Sequence, residues 1–430
     1  MPVALAAACA FAPSSFAAQA PEASATEPTV ETTQQLIIKY KKSALAAKDG
    51  SPQALALAHE AVQRQGIQMQ WFRTNALGAH VLKLDRAIDL DTARQLAKSI
   101  KAADRAVEYA EPDRLMQPLL TPNDPGYNSQ WHYFEPTGGL NLPSAWDKST
   151  GSGVVVSVID TGIRPHADLV ANLRPGYDFI SNLSVANDGN GRDSDPSDPG
   201  DWTSAGECGA GRPATTSSWH GTHVAGTIAA VTNNGSGVAG VAFGAKVSNA
   251  RVLGKCGGYT SDIADAIIWA SGGTVSGVPA NANPARVINM SLGGGGACDT
   301  TTQNAINNAR SRNTVIVVAA GNSNANVSGF SPASCSGVIT VAATGRNGGK
   351  ASYSNYGALV DVAAPGGNMS SGTTNGVLST LNSGTSTPGA DSTAYYQGTS
   401  MAAPHVAGVA ALMLSVKPTL TPARSSREPD

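Results

Sequence analysis

Residues 396–409 read Tyr396-Gln-Gly398-Thr399-Ser400-Met401-Ala-Ala-Pro404-His405-Val-Ala-Gly-Val409. Gly398 has no Cβ, so the backbone at Gly398-Thr399-Ser400 can bend sharply and approach a ligand closely. Small and apolar residues follow through Leu414, with Val406, Val409, Ala410 and Met413 at helical spacing. The pattern predicts a helix with Ser400 at its N-terminus, where free amides and the helix dipole favour a nearby negative charge. Pro404 removes one helical hydrogen bond and crowds the Ser400 carbonyl, so a local irregularity is expected there. Alone, such a turn is no more than a helix cap. What it does depends on which residues the chain brings to it.

Working outward, strand and helix signals alternate. Residues 153–160 (GVVVSVID) form a continuous apolar run, as in a strand covered on both faces of a parallel sheet. Stretches 245–253, 287–290, 314–319 and 338–343 read as further strands, and 219–231, 261–270 and 301–312 as helices. This alternation predicts an α/β fold, a parallel sheet with helices on both faces. Ligands in such folds gather at the carboxyl ends of the strands. Asp160 stands at such an end in Val-Ile-Asp-Thr-Gly, and Asn322 follows another in Ala-Ala-Gly-Asn. His220 opens a predicted helix in Ser-Trp-His-Gly-Thr-His-Val-Ala-Gly. Taken singly, the acid is a turn carboxylate and the amide a turn residue. Together with Ser400 they have a chemical sense, because a serine hydroxyl needs a base and the base an orienting group. A histidine pair three apart could suggest metal, but no HExxH and no C-x-x-C pair is present. His223 is therefore expected to be a hydrogen-bonded core residue.

Jointly, DTG at 160–162, HGTHVAG at 220–226 and GTSMAAPHVAG at 398–408 occur in the order Asp…His…Ser. From about residue 121 to residue 422 the chain resembles the subtilisin-like serine proteases, whose triad is itself a standard example of this chain order. The resemblance implies the subtilisin-like fold and a role for each residue. Asp160 orients the imidazole, His220 takes the serine proton and returns it to the leaving amine, and Ser400 forms the acyl-enzyme. Asn322 and the Ser400 backbone N–H form the oxyanion hole. Gly257, Gly258 and Tyr259, with Ser291, Leu292, Gly293 and Gly294, resemble the walls along which a peptide lies as an added strand. Ala320 and Gly321 leave room for a side chain, and no acidic residue evidently lines that space, which implies broad or apolar preference.

The resemblance also implies structural calcium. Asp124, Asp168 and Asn234 supply side-chain oxygens, and Val231, Ser236 and Val238 supply carbonyls. A second acidic, Gly-rich stretch at 187–198 lacks the closing Glu of an EF-hand. It reads either as a solvated loop or as a further calcium loop.

The chain is long enough, at 430 residues, for two or three domains. With 14% charged residues and a formal net charge of −2, it carries no electrostatic footprint for nucleic acid. No run of 18 apolar residues occurs, so no membrane span is expected. Residues 1–20 are small and apolar and end on Ala18-Gln19-Ala20, a signal-peptidase pattern without its basic start, so the chain reads as secreted. The basic start lies upstream in that reading; otherwise the stretch is an Ala-rich tail. Beyond Cys9 there are four cysteines, which fits two disulfides in an oxidising compartment; spacing does not choose among the three pairings. Resemblance to secreted bacterial members implies Cys208–Cys256 and Cys298–Cys335.

A polar linker at 21–34 precedes strand and helix signals between 35 and 117: strands at 36–40, 79–84 and 106–109, helices at 52–65 and at 91–102, the latter capped by Asp91. This small α+β unit resembles the family's ferredoxin-like inhibitory propeptide, cut near 117–121. The remainder, 118–430, is the expected peptidase domain. At its end Thr421 and Pro422 announce a helix, but no apolar residue follows Ala423. The ending therefore reads as a truncation, a frameshift or a naturally short variant. The leading expectation is a secreted serine endopeptidase made as a self-processed zymogen, acting on proteins or peptides. Its alternative is a subtilase-fold binding protein impaired by the short ending. An α/β-hydrolase esterase would need a G-x-S-x-G elbow and the order Ser…Asp…His, and neither is present.

Overall fold

The chain divides between Gln117 and Pro118 into two units, in a computed structural model that describes residues 32–47, 51, 54–115 and 121–422. The expected signal segment at 1–20, most of the linker, residues 116–120 at the expected cut and the polar ending from 423 onward lie outside the described residues.

In the first unit, Leu36, Ile38 and Tyr40 alternate inward along β1 (Thr32–Tyr40). There follow α1 (Ala56–Gln63), β2 (Met69–Thr74), β3 (His80–Asp89), α2 (Leu90–Ala103) and β4 (Val107–Pro112). The strands pair antiparallel in the order β2-β3-β1-β4, a ferredoxin-like βαββαβ arrangement. Leu82, Leu84, Val62, Leu96 and Ile100 close its core. Two details differ from expectation. The cap of α2 is Asp89, not Asp91: Asp89 is extended and its carboxylate accepts from Thr92 N–H at 2.8 Å, whereas Asp91 already lies inside the helix. Strand β2 is an edge strand in which only Met69 is buried, so it has no alternating signal to read.

The second unit places its apolar runs side by side. Its strands are β5 (Val155–Asp160), β6 (Leu173–Asp178), β7 (Lys246–Arg251), β8 (Val287–Met290), β9 (Val315–Ala319), β10 (Ile339–Thr344) and β11 (Val362–Pro365). They form one parallel sheet in the order β11-β10-β9-β8-β5-β7-β6. The two strands without a sequence signal, β6 and β11, are its edges. Pro175 sits in β6, where the register also shifts; an edge strand tolerates a residue that cannot donate to the ladder.

Helices α3 (His220–Ala229), α4 (Thr260–Ala270), α5 (Thr300–Ser311) and α6 (Thr399–Val416) cover the sheet. Val156, Val158 and Val247 pack with α3 and α6 in one core, and Ile159, Ala250 and Ile288 pack with α4 and α5 in another. The hairpin of β12 (Val377–Asn382) and β13 (Asp391–Tyr396) leads into α6.

Helix α6 is continuous through Pro404, contrary to the expected irregularity. Pro404 leaves the Ser400 carbonyl without its helical donor, and the Ser291 hydroxyl donates to that carbonyl at 2.8 Å instead. By length and composition α6 could also cross a bilayer, but here it is mostly buried as a core helix.

Both expected disulfides are formed, Cys208–Cys256 and Cys298–Cys335, closing separations of 48 and 37 residues. Loops of this length are worth at most about 4 kcal/mol each in chain entropy. Replacing Cys298 and Cys335 together by Ser should lower unfolding free energy by about 2–4 kcal/mol in denaturant titration. No measurable loss would show that the bridge does not stabilise the fold.

Candidate active site

Strand β5 ends on Asp160, a fully buried carboxylate. Its Oδ1 accepts from Thr161 N–H at 2.7 Å and from His220 Nδ1 at 2.8 Å. A carboxylate so placed only accepts, so Nδ1 carries the proton and Nε2 of the neutral ring is left as an acceptor. His220 is set at the start of α3 by Trp219, which has left-handed backbone (φ 47°) and whose indole N–H donates to Gly384 O at 2.7 Å. Burial pulls the His220 pKa down. The Asp160 charge and its hydrogen bond pull it up, Asp201 and Asp198 add to the rise, and the net pKa lies above the ordinary histidine value. The other histidine of the motif behaves as expected for the core: His223 is fully buried, bonded through Nε2 to the carbonyls of Val377 and Ala394, and burial lowers its pKa to about 3.

Ser400 is the second residue of α6, and its N–H is one of the first-turn amides with no partner inside the helix. The Ser400 hydroxyl donates to the Ser291 carbonyl at 3.1 Å. Asn322 follows β9 across one short turn. Its Oδ1 accepts from both the N–H and the hydroxyl of Thr399, each at 2.9 Å, and Gly321 N–H donates to that hydroxyl at 3.0 Å. With Oδ1 committed, the amide NH₂ is the end left to donate. Sequence reading found Asn322 but not Thr399, whose fixing role has no signal beyond its place before Ser400.

Ser400 and Asn322 share a cavity of about 350 Å³ with Ser291, Leu292, Gly293, Ala320, Gly321 and Phe330, and no charged residue lines it. A neighbouring cavity of about 630 Å³ runs along Gly257, Gly258 and Leu292–Gly295 toward Asp299. Gly257 has φ 113°, and a Cβ on Gly258 would lie 2.1 Å from Val252 O, so this wall requires glycine. Tyr259 lines neither of these cavities. It precedes the first residue of α4 in extended conformation, directly after Gly258, and is exposed. His220 opens onto a third cavity of about 620 Å³ that reaches Asp201, Arg212 and the Cys208–Cys256 bridge.

The six expected calcium ligands lie together. Asp124 and Asp168 are buried, and the 231–238 loop wraps them. Asp124 accepts from the N–H groups of Asn233 and Asn234, and Asp168 from Val238 N–H and the Asn234 amide. Burial raises the Asp168 pKa against these hydrogen bonds, and the Asp124 charge adds to the rise. Among the described residues neither carboxylate has a salt-bridge partner, and no three acidic, histidine or cysteine side chains converge. Two neighbouring buried carboxylates without an ion-pair partner among the described residues suit a hard cation with oxygen ligands. The 187–198 stretch is more than a solvated loop. The fully buried Arg251 binds Asp178, Asp188 and the Ala186 carbonyl, and Arg192 binds Asp262 and Asp265.

An acid–imidazole pair and a serine at a helix start, on the carboxyl ends of a parallel sheet, are the parts of a serine hydrolase. The Subtilase family profile matches residues 151–427. An extracellular protease of Xanthomonas campestris is 58% identical over 401 residues, 92% of this chain and 68% of the relative. An extracellular basic protease of Dichelobacter nodosus is 46% identical over 413 residues, 92% of this chain and 66% of the relative. The chain thus spans about two thirds of the length of each. A solved protease structure from Pseudoalteromonas arctica aligns with 69% identity and a TM-score of 0.70, covering 70% of this chain and 89% of that one. The chain belongs to the subtilase family of serine endopeptidases.

In the folded protein the His220 imidazole should titrate above about 6.5, and Asp160→Asn should bring its midpoint down. NMR titration of the ring Cε1 proton reads both. An unmoved midpoint in the variant would remove Asp160 as the cause.

Proposed function

We propose that this protein is a secreted serine endopeptidase that cleaves peptide bonds through Asp160, His220 and Ser400 and is made as a self-processed precursor. The observation that carries the reading is the 2.8 Å bond from His220 to buried Asp160, beside a helix start that brings Ser400 and Asn322 into one uncharged cavity. In the reaction the Ser400 hydroxyl exchanges the Ser291 carbonyl for His220 Nε2, which removes its proton as Oγ attacks the substrate carbonyl. The buried Asp160 charge stabilises the imidazolium that forms. The Asn322 amide and Ser400 N–H then take the developing oxyanion. His220 returns the proton to the leaving amine, and water resolves the acyl-enzyme by the same steps in reverse.

The uncharged lining of the cavity supports a broad or apolar preference for the side chain next to the cut. Export is supported by the two disulfides and by relatives named as extracellular. The ferredoxin-like unit before residue 118 would serve as inhibitory propeptide. Calcium would be held by Asp124, Asp168, Asn234 and the carbonyls of Val231, Ser236 and Val238, supplying a crosslink of structure rather than chemistry. No triad position is substituted, so nothing favours a non-catalytic binding protein.

Ser400→Ala should abolish casein hydrolysis and leave full-length precursor, while Asn322→Ala should lower kcat about 100- to 1000-fold, a magnitude measured in subtilisin itself. Self-processing by purified Ser400→Ala would overturn the assignment. Excess chelator should lower the melting temperature, since a ligand bound only by the folded state stabilises it. In Asp168→Ala that response should largely vanish; equal responses in both proteins would remove the calcium assignment.

A further inference from the structure

One hydroxyl joins the residue after Asp160 to the residue after His220. Thr161, buried, donates from Oγ1 to Asp198 Oδ2 at 2.8 Å and accepts at the same oxygen from Gly221 N–H at 3.0 Å. A hydroxyl has one hydrogen and two lone pairs, and an ionised carboxylate only accepts. Asp198 therefore takes the hydrogen and turns a lone pair toward Gly221. Asp198 is itself fixed: it is buried, its Oδ1 accepts from Gly200 N–H at 2.8 Å and its carbonyl from Arg164 at 3.0 Å. Its segment pairs with the chain just past Thr161 through Ile163 N–H to Pro196 O and Asp198 N–H to Ile163 O. Arg251 adds a bond from Nε to Thr161 O at 3.3 Å.

We infer that Thr161, oriented by Asp198, is a positioning residue that fixes the distance and angle between Asp160 and His220. The inference rests on the triad proposed above. Neither residue bonds a triad side chain through its own side chain. Thr161 acts through the backbone on which Asp160 and His220 are mounted, and a misplacement of about 1 Å can cost about 100-fold in rate. The Asp198 charge also raises the His220 pKa through space, so kcat is compared on the plateau of each variant's pH profile.

The test is steady-state hydrolysis of a chromogenic peptide anilide, well below each variant's melting temperature. Thr161→Val keeps the shape and removes the hydroxyl. It should lower kcat about 10- to 100-fold with KM within about twofold, and Thr161→Ser should recover most of that loss. Asp198→Asn covers the case in which the Val variant does not fold; it removes the charge that directs the hydroxyl, and should lower kcat about three- to tenfold at unchanged KM. Wild-type kcat in either folded variant, even with a lowered melting temperature, overturns the inference. Ser400→Ala is assayed in parallel. If it still cleaves, the triad reading fails. If it is dead while folded Thr161→Val turns over like wild type, only the positioning role fails.

Discussion

The reciprocal pairing of Ser291 and Ser400 sets the rest of the site. Pro404 removes the donor that the Ser400 carbonyl would have inside α6, and the Ser291 hydroxyl replaces it. The Ser400 hydroxyl returns a bond to the Ser291 carbonyl. The first turn of α6 is thereby tied to the end of β8, while Thr399 ties the same turn to Asn322 beyond β9. Two adjacent strand ends and one helix start are held by side chains rather than by a continuous ladder. A helix without proline here would satisfy its own carbonyl and leave Ser291 with no reason to bind it.

Polar groups in the surrounding core follow the same economy. His132 Nδ1 and His405 Nε2 lie 2.8 Å apart, both fully buried, and His405 Nδ1 bonds the Met401 carbonyl. Burial holds the pKa of His405 at about 4 and that of His132 well below the ordinary value, so the pair is neutral and bridges the 131–134 turn to α6. One of the residues that anchors α6 is thus a histidine with no acid–base task.

Much of this was legible in the sequence, for a physical reason. Asp160, His220, Asn322 and Ser400 each sit where a strand or helix begins or ends, and such junctions announce themselves locally. Central strands read clearly because they are apolar throughout; β6 and β11 did not, because sheet edges tolerate Pro175 and short lengths. The cap of α2 was misplaced by two residues because two acids stand at its start and only backbone conformation selects Asp89. In the sequence Asp198 reads only as the end of the acidic stretch at 187–198. Its partner Thr161 lies 37 residues earlier, and no periodicity links a loop carboxylate to a strand-end hydroxyl. The disulfide pairing came from likeness to a family, since four cysteines alone do not choose partners.

Where the first turn of α3 meets the residues just past β5, Gly221 brings backbone directly against backbone. A Cβ on Gly221 would stand 2.1 Å from Gly162 O and 3.3 Å from the Asp160 Cβ. Ordinary cores absorb small errors by shifting rotamers, as a gasket absorbs misfit between two flanges. Here backbone rests directly on backbone, so the mechanical tolerance of the joint is that of covalent geometry. An added methyl would have nowhere to go except into displacement of the whole helix, carrying the imidazole with it. Stiffness at this contact is a property of what Gly221 lacks.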